Sequence, residues 1–300
     1  MVMPRLLSIH AHPDDEASKG APTVARYVAE GHEAYLVCAT GGEEGDIINP
    51  VMERPEVREN LAEVRAEELN KSVAAIGYKD LIWLGYRDSG MPETEANLHA
   101  DCFAAADLDE AVGRFVAILR QVRPHVLLTY SDDQSGYRHP DHLRVHDISV
   151  EAFDRAADPD WYPEAGPPWQ VQKMYYSMWS RGRMEIQHRL YGELGIKSPF
   201  TERWTNAPSQ DHRITTKIVV DEYLYVRRQA LLAHATQVDP NEKFWFGIPD
   251  EMMAKEYPWE DYILARSTVG GHETGSDLFD GVVVETPCDH AVDSSTEVDA

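Results

Sequence analysis

The 300 residues include 28 basic and 52 acidic side chains, a formal charge of −24, with 43% apolar and 27% charged positions. A chain of this length and apolar content can bury roughly three quarters of its unfolded surface, which excludes bulk disorder. So negative a charge repels phosphate backbones and anionic headgroups, and no cluster of Lys or Arg offsets it, so nucleic acid and membrane are excluded as partners.

In chain order, Leu6 to Ile9 reads as a first strand, followed at once by polar His10. Apolar runs near the start are too short for a signal-peptide core or a membrane span. Ala21, Val24, Ala25 and Val28 recur at i, i+3, i+4 and i+7, an amphipathic helix closed by Gly31. Ala34 to Ala39 is a second strand, and a Gly-rich acidic loop (GGEEGD) follows it. Leu61, Leu69, Val73 and Ile76 mark one face of a long helix ending at Gly77, and Leu81 to Leu84 is a third strand. Leu108, Val112, Phe115, Val116 and Leu119 form the clearest helical stripe, and Val126 to Tyr130 is a fourth strand. Strands alternating with helices predict an α/β fold, a parallel sheet flanked by helices.

Past about residue 157 the pattern loosens. Residues 158 to 168 (DPDWYPEAGPP) form a Pro-rich connector. Met174 to Trp179 and Ile214 to Val220 read as further strands, and Glu222 to His234 as a helix. The expected organisation is a first domain over 1–157, a smaller mixed α/β C-terminal subdomain over 158–272 closing the substrate pocket, and an acidic, disordered tail over 273–300. Cys38, Cys102 and Cys288 are odd in number, far apart and in no Cys-x-x-Cys pair. A reducing, cytoplasmic setting is expected, without a disulfide framework or a thiolate metal site.

The string LLSIHAHPDDE sets His12, Asp14, Asp15 and Glu16 directly after strand one. Ligand crevices of open parallel sheets form at the carboxyl ends of strands. A helix cap needs one carboxylate, not a His and three consecutive acids. SDDQSGYRHPDH brings His139 and His142 to the end of strand four, on the same edge of the sheet. His-x-x-His alone is a weak signal. Two such clusters on one edge fit a metal site of two imidazoles, a carboxylate and an open water position, which is the form of a catalytic centre. Arg65 interrupts the apolar row Leu61, Leu69, Val73, and an inward guanidinium calls either for an anionic or hydroxyl-rich ligand or for an internal carboxylate. Asp88, in GYRDSG, is either a further carboxylate at that edge or a turn former.

HPDDE after the first strand and HPDH after a later one resemble the zinc-dependent LmbE and PIG-L type deacetylases, which remove acyl groups from amino sugars on a Rossmann-like fold. The strings DDEASKG, TGGEEGDIINP, WLGYRDSGMP, DCFA and AHATQVDPN are similar to the amidase branch of that family, over roughly residues 5 to 266. The resemblance implies that His12, Asp15 and His142 bind one zinc per chain, with iron as the alternative metal, and that Asp14 is the general base. His139 would be the acid assisting the oxyanion and leaving amine, with Asp141 orienting it and Tyr137 near the oxyanion. Arg65 and Asp88 would hold sugar hydroxyls, Lys19 would read the acyl side, and His234 and Gln237 would form a pocket wall. Arg138 departs from the small residue or Pro more usual there.

The implied activity is hydrolysis of the cysteinyl–glucosamine amide of mycothiol S-conjugates, a small-molecule substrate. The rivals are deacetylation of N-acetylglucosaminyl-inositol, a lectin-like sensor retaining the pocket, and a two-metal phosphatase using Asp14, Asp15, Asp132 and Asp133.

Overall fold

A computed structural model describes residues 3–134, 137–200, 204, 208–271 and 274–284. Strands β1 (Arg5–His10), β2 (Glu33–Thr40), β3 (Asp80–Tyr86), β4 (Val126–Thr129), β5 (Lys173–Met178), β6 (Thr216–Val219) and β7 (Trp259–Ser267) form one sheet in the order β3-β2-β1-β4-β5-β7-β6. Pairing is parallel from β3 through β5, and β7 lies antiparallel to β5 and β6. The helices that concern the site are α1 (Asp15–Ser18), α2 (Ala21–Ala29), α3 (Pro55–Glu59), α4 (Leu61–Ile76), α5 (Leu108–Val122), α6 (Pro140–Arg155), α7 (Arg181–Glu193) and α8 (Leu224–Ala233). Among the described residues no helix is long and apolar enough to cross a membrane.

Strand alternation sends Leu6 to one face of β1, with Leu36, Leu128 and the helices α2, α4 and α8. Leu7 and Ile9 go to the other face, with Val37, Leu127 and the stripe Val112, Phe115, Val116 and Leu119 of α5. Both faces are covered, which is why the strands read as near-continuous apolar runs, broken in β1 only by the buried Ser8, rather than as alternation. Each of these fully buried side chains contributes about 1.5–3 kcal/mol. Helix α5 opens on Asp107, whose carboxylate accepts the Glu110 N–H at 3.0 Å. Helix α4 closes on Gly77 at φ +95°, the left-handed terminus that glycine favours.

The chain past residue 158 extends this sheet with β5, β7 and β6. Strand β7 is hidden in the sequence because its start carries two acids. Glu260 and Asp261 are nevertheless buried, Glu260 accepting from Thr23 N and Oγ1 and Asp261 from Ser180 Oγ and Tyr257. Helix α7 also escapes the sequence reading, since its apolar positions do not line up on one face.

The tail expectation needs correction for 274–284, which pack on the body rather than trailing into solvent. Leu278 is fully buried, its N–H donates to Tyr27 Oη at 2.7 Å, and Tyr27 donates to Asp277 at 2.9 Å. A short apolar anchor inside an acidic stretch is invisible to composition. Residues 285–300 lie outside the described residues. Leu278→Ala is expected to destabilise the fold by about 2–5 kcal/mol, the range for emptying a buried leucine site; an unchanged denaturant midpoint would mean the segment does not dock.

Strand β1 has β2 on one side and β4 on the other, so the chain order reverses there and a crevice opens at their carboxyl ends. HPDDE leaves β1 and HPDH begins α6 just after β4, so the topology brings both to one place.

Candidate metal centre

The turn after β1 is pinned from both sides. Ala11 N donates to Tyr130 Oη at 3.0 Å, and Ala11 O accepts from Thr40 N and Oγ1, each at 3.0 Å. Asp14 then takes φ +129°, a backbone region that favours glycine and stores strain in any other residue. Two contacts hold it there: its N–H donates to Glu16 Oε2 at 3.0 Å, and its Oδ2 accepts from Arg65 at 3.1 Å.

His12, Asp15 and His142 are buried and converge. Asp15 Oδ2 lies 3.4 Å from His12 Nδ1 and 3.4 Å from His142 Nε2, and one donor atom from each of the three falls within 4.8 Å of the others. Donors on a tetrahedral ion with bonds of about 2.0–2.1 Å stand roughly 3.3–3.4 Å apart, so two imidazole nitrogens and one carboxylate oxygen fit a small divalent metal. The cavity in front of them leaves room for water and substrate. Burial opposes the charge on Asp15, yet Lys19, whose ammonium binds Oδ1 at 2.5 Å, and His142 hold its carboxyl well below the usual range. It is ionised, as a ligand must be.

A second group, His12, Asp88, His139 and Asp141, shares His12. Its carboxylates are engaged elsewhere. Asp141 accepts from Ser89 N at 2.9 Å, from Ser89 Oγ, and faces His12 Nε2 at 3.2 Å. Asp88 accepts from Gly90 N at 2.8 Å and Glu44 N at 3.3 Å, and stands 3.4 Å from the same Nε2. Burial opposes a charged His12, but Asp141, Asp15 and Asp88 keep it well above its ordinary value. Carboxylates at Nε2 leave Nδ1 as the donor toward a metal, the arrangement that orients metal-binding imidazoles.

The positions anticipated from sequence divide. Asp14, Lys19, Arg65, Asp88, Tyr137, Gln237 and His139 border one cavity of about 1280 Å³, together with the three donors. Asp141, expected to orient His139, turns its carboxylate to His12; what meets His139 is the Asp141 backbone N–H, which donates to Nδ1 at 3.2 Å. Arg65, expected on sugar hydroxyls, spends its guanidinium on Gly42 O, Pro13 O and Asp14. Gly42, at φ +68°, and Gly45 explain the GGEEGD loop, since a Cβ on either would stand 2.4 Å from Arg65 Nη1. Lys19, expected to read the acyl side, binds Asp15 Oδ1. His234 is not on the cavity wall: it is fully buried one layer back, its Nε2 2.6 Å from Glu16 Oε1, which Ser72 Oγ also binds. Arg138 lines the cavity.

Tyr130 and Ser89 escaped the sequence reading. Tyr130 donates to Asp15 Oδ2 at 2.7 Å and stacks on His142 with ring centroids 4.4 Å apart. A tyrosine ending an apolar strand carries no signal of such a task.

The family model "PIG-L: GlcNAc-PI de-N-acetylase" matches residues 7–153, the stretch holding both histidine motifs. A mycothiol S-conjugate amidase of Streptomyces coelicolor is 41% identical over 287 residues, 93% of this chain and 97% of its own. A 1D-myo-inositol 2-acetamido-2-deoxy-alpha-D-glucopyranoside deacetylase of Streptomyces avermitilis is 40% identical over 291 residues, with 93% and 97% covered. Among solved structures, N,N'-diacetylchitobiose deacetylase of Pyrococcus horikoshii matches with a TM-score of 0.56 at 18% identity, over 80% of this chain and 72% of that one. A 4-carboxy-2-hydroxymuconate hydratase of Pseudomonas putida matches at 0.58 and 16% identity, over 90% and 99%, so the fold alone does not fix the reaction. With close relatives of amidase and deacetylase type aligned along almost its whole length, and with both histidine motifs inside the matched region, this chain belongs to the PIG-L family.

Proposed function

We propose that this chain is a zinc-dependent amidase that hydrolyses the cysteinyl–glucosamine amide of mycothiol S-conjugates, giving a mercapturic acid and glucosaminyl-inositol. His12, Asp15 and His142 hold the metal, one per chain. When bound there, zinc supplies Lewis acidity, polarising the amide carbonyl and lowering the pKa of a water.

The chain's own groups divide the proton work. Asp14 stands at the cavity wall, where burial raises its carboxyl against the pull of Arg65. It takes a proton from the water that attacks the amide carbon, and returns it to the glucosamine nitrogen as the C–N bond breaks. Burial and the nearby His12 hold His139 down to about 4, so it is neutral at pH 7. With Nδ1 accepting the Asp141 N–H, its own proton lies on Nε2, a hydrogen-bond donor for the developing oxyanion rather than a source of protons. Tyr137, half exposed at the cavity, offers its hydroxyl to the same charge.

The observation that carries the amidase reading is the cavity's size and its aromatic side. Pockets for small ligands run to about 300–1,000 Å³, and this one is larger. Trp179 donates to Ser18 O at 3.4 Å beside the metal loop, stacks on Phe244 at 5.7 Å and meets Trp245 edge-on at 5.9 Å. An acetyl group needs no such wall, whereas a bulky apolar S-substituent does. A second reading, deacetylation of N-acetylglucosaminyl-inositol, is favoured by the 40% identical deacetylase. Mass spectrometry of products from a bimane conjugate of mycothiol and from N-acetylglucosaminyl-inositol separates the two. Preferred cleavage of the conjugate is expected, and faster release of acetate would replace the first reading by the second.

Lys19→Ala removes the cation beside Asp15. It is expected to weaken metal affinity by about 10–100-fold, as lost supporting contacts do, and to slow both substrates together. Competition with a metal indicator checks this; full affinity with loss on the conjugate alone would return Lys19 to the acyl side.

A further inference from the structure

Behind the aromatic wall lies a second cavity of about 40 Å³, which shares Trp179, Leu231, Phe244 and Trp245 with the first. Its charged and amide lining is Arg183, Arg227, Arg228, Gln187 and one carboxylate, Asp250, which Arg228 binds. Arg183, only 4% exposed, lies over the Trp179 ring with its guanidinium carbon 4.3 Å from the centroid. Among the described residues its guanidinium makes no hydrogen bond, and its Nε is buried without a partner. Arg227 Nε is in the same condition, although Arg227 Nη2 binds Glu260. Gln187 Oε1 is likewise buried and unpaired, and a half-turn of that amide presents two more N–H donors.

The surrounding cations are not equally paired. Glu260 is engaged by Arg227, Thr23 N and Thr23 Oγ1. Asp261 is engaged by Lys217, Ser180 and Tyr257, and Asp250 by Arg228. Asp211 accepts from the first N–H groups of α7, Arg181 N and Gly182 N. Arg227, Arg228 and Lys217 thus each bind a carboxylate, whereas Arg183, among the described residues, hydrogen-bonds to none. A buried guanidinium without an acceptor is costly. Arg183 also sits in the first turn of α7, where the helix dipole disfavours a cation and favours an anion.

We propose that this cavity is a binding site for a small monovalent anion of halide size, held by the Arg183 guanidinium with Arg227 and Gln187. A water needs about 10–15 Å³ measured in this way, so 40 Å³ takes one monatomic anion with a water beside it and excludes larger organic anions. The occupant is a structural ligand. By neutralising Arg183 it steadies the Arg183–Trp179 stack, and with it the wall shared with the catalytic cavity.

The test is thermal unfolding of the full chain at constant ionic strength, with chloride exchanged against gluconate, which is too large to enter. A saturable rise in Tm of about 2–4 °C with chloride is expected, the shift of a ligand present at several times its Kd, and Arg183→Met should abolish it. Equal Tm values in the two salts would overturn the proposal. Should Arg183→Met fail to fold, crystals of the native protein in bromide decide independently. An anomalous peak within hydrogen-bond reach of Arg183 supports the site, and density for water alone refutes it.

Discussion

Asp14→Asn is expected to leave the fold and the metal in place and to lower kcat by roughly two to four orders of magnitude, the usual worth of a positioned proton acceptor. The amide keeps the size of the carboxylate, and its oxygen still meets Arg65, 3.1 Å from Oδ2 in the native protein. Asn and Asp differ by one isosteric terminal group, so the exchange adds no new steric strain to the +129° backbone. What it loses is the ability to accept a proton at the cavity wall. Metal analysis and steady-state kinetics together check the assignment. Loss of metal along with activity would make Asp14 a ligand and undo the division of labour between the two aspartates.

The second large effect separates the two donor groups that share His12. His142 belongs only to the group with Asp15, and His139 only to the group with Asp88 and Asp141. His142→Ala is expected to weaken metal affinity by more than about 100-fold, beyond the loss seen when a mere supporting contact is removed. His139→Ala should retain the metal and lose rate, because the oxyanion then lacks its Nε2 donor; one such donor is worth about 10²–10³ in kcat. Dialysis against a chelator, followed by metal counting, reads both variants. Retention by His142→Ala with loss by His139→Ala would move the centre to the other side of the His12 ring.

The sheet was legible because β1, β2 and β4 are covered on both faces and their residues are mostly apolar. The motifs were legible because chemistry concentrates charged residues where strands end. What escaped has a common physical cause: partners that are distant in sequence. Strand β7 buries Glu260 and Asp261 only because Thr23, Ser180 and Tyr257 satisfy them from other elements. Arg65 stands out in the sequence as a guanidinium in an apolar row, yet nothing local says that its acceptors are two loop carbonyls and Asp14. His234 lies behind the pocket wall because it pairs with Glu16 across 218 positions of sequence, a partner that nothing local announces. The acidic tail concealed Leu278, whose site is built by Tyr27 and its neighbours.

The claim on which the rest depends is that His12 Nδ1, Asp15 and His142 Nε2 are the ligands. A crystal structure of the metal-loaded protein, with anomalous data at the zinc edge, tests it most directly. One peak per chain about 2.0–2.2 Å from those three donors is expected. A peak bounded instead by His12 Nε2, Asp88, His139 and Asp141, or a second peak at the Asp132 and Asp133 loop, would contradict it.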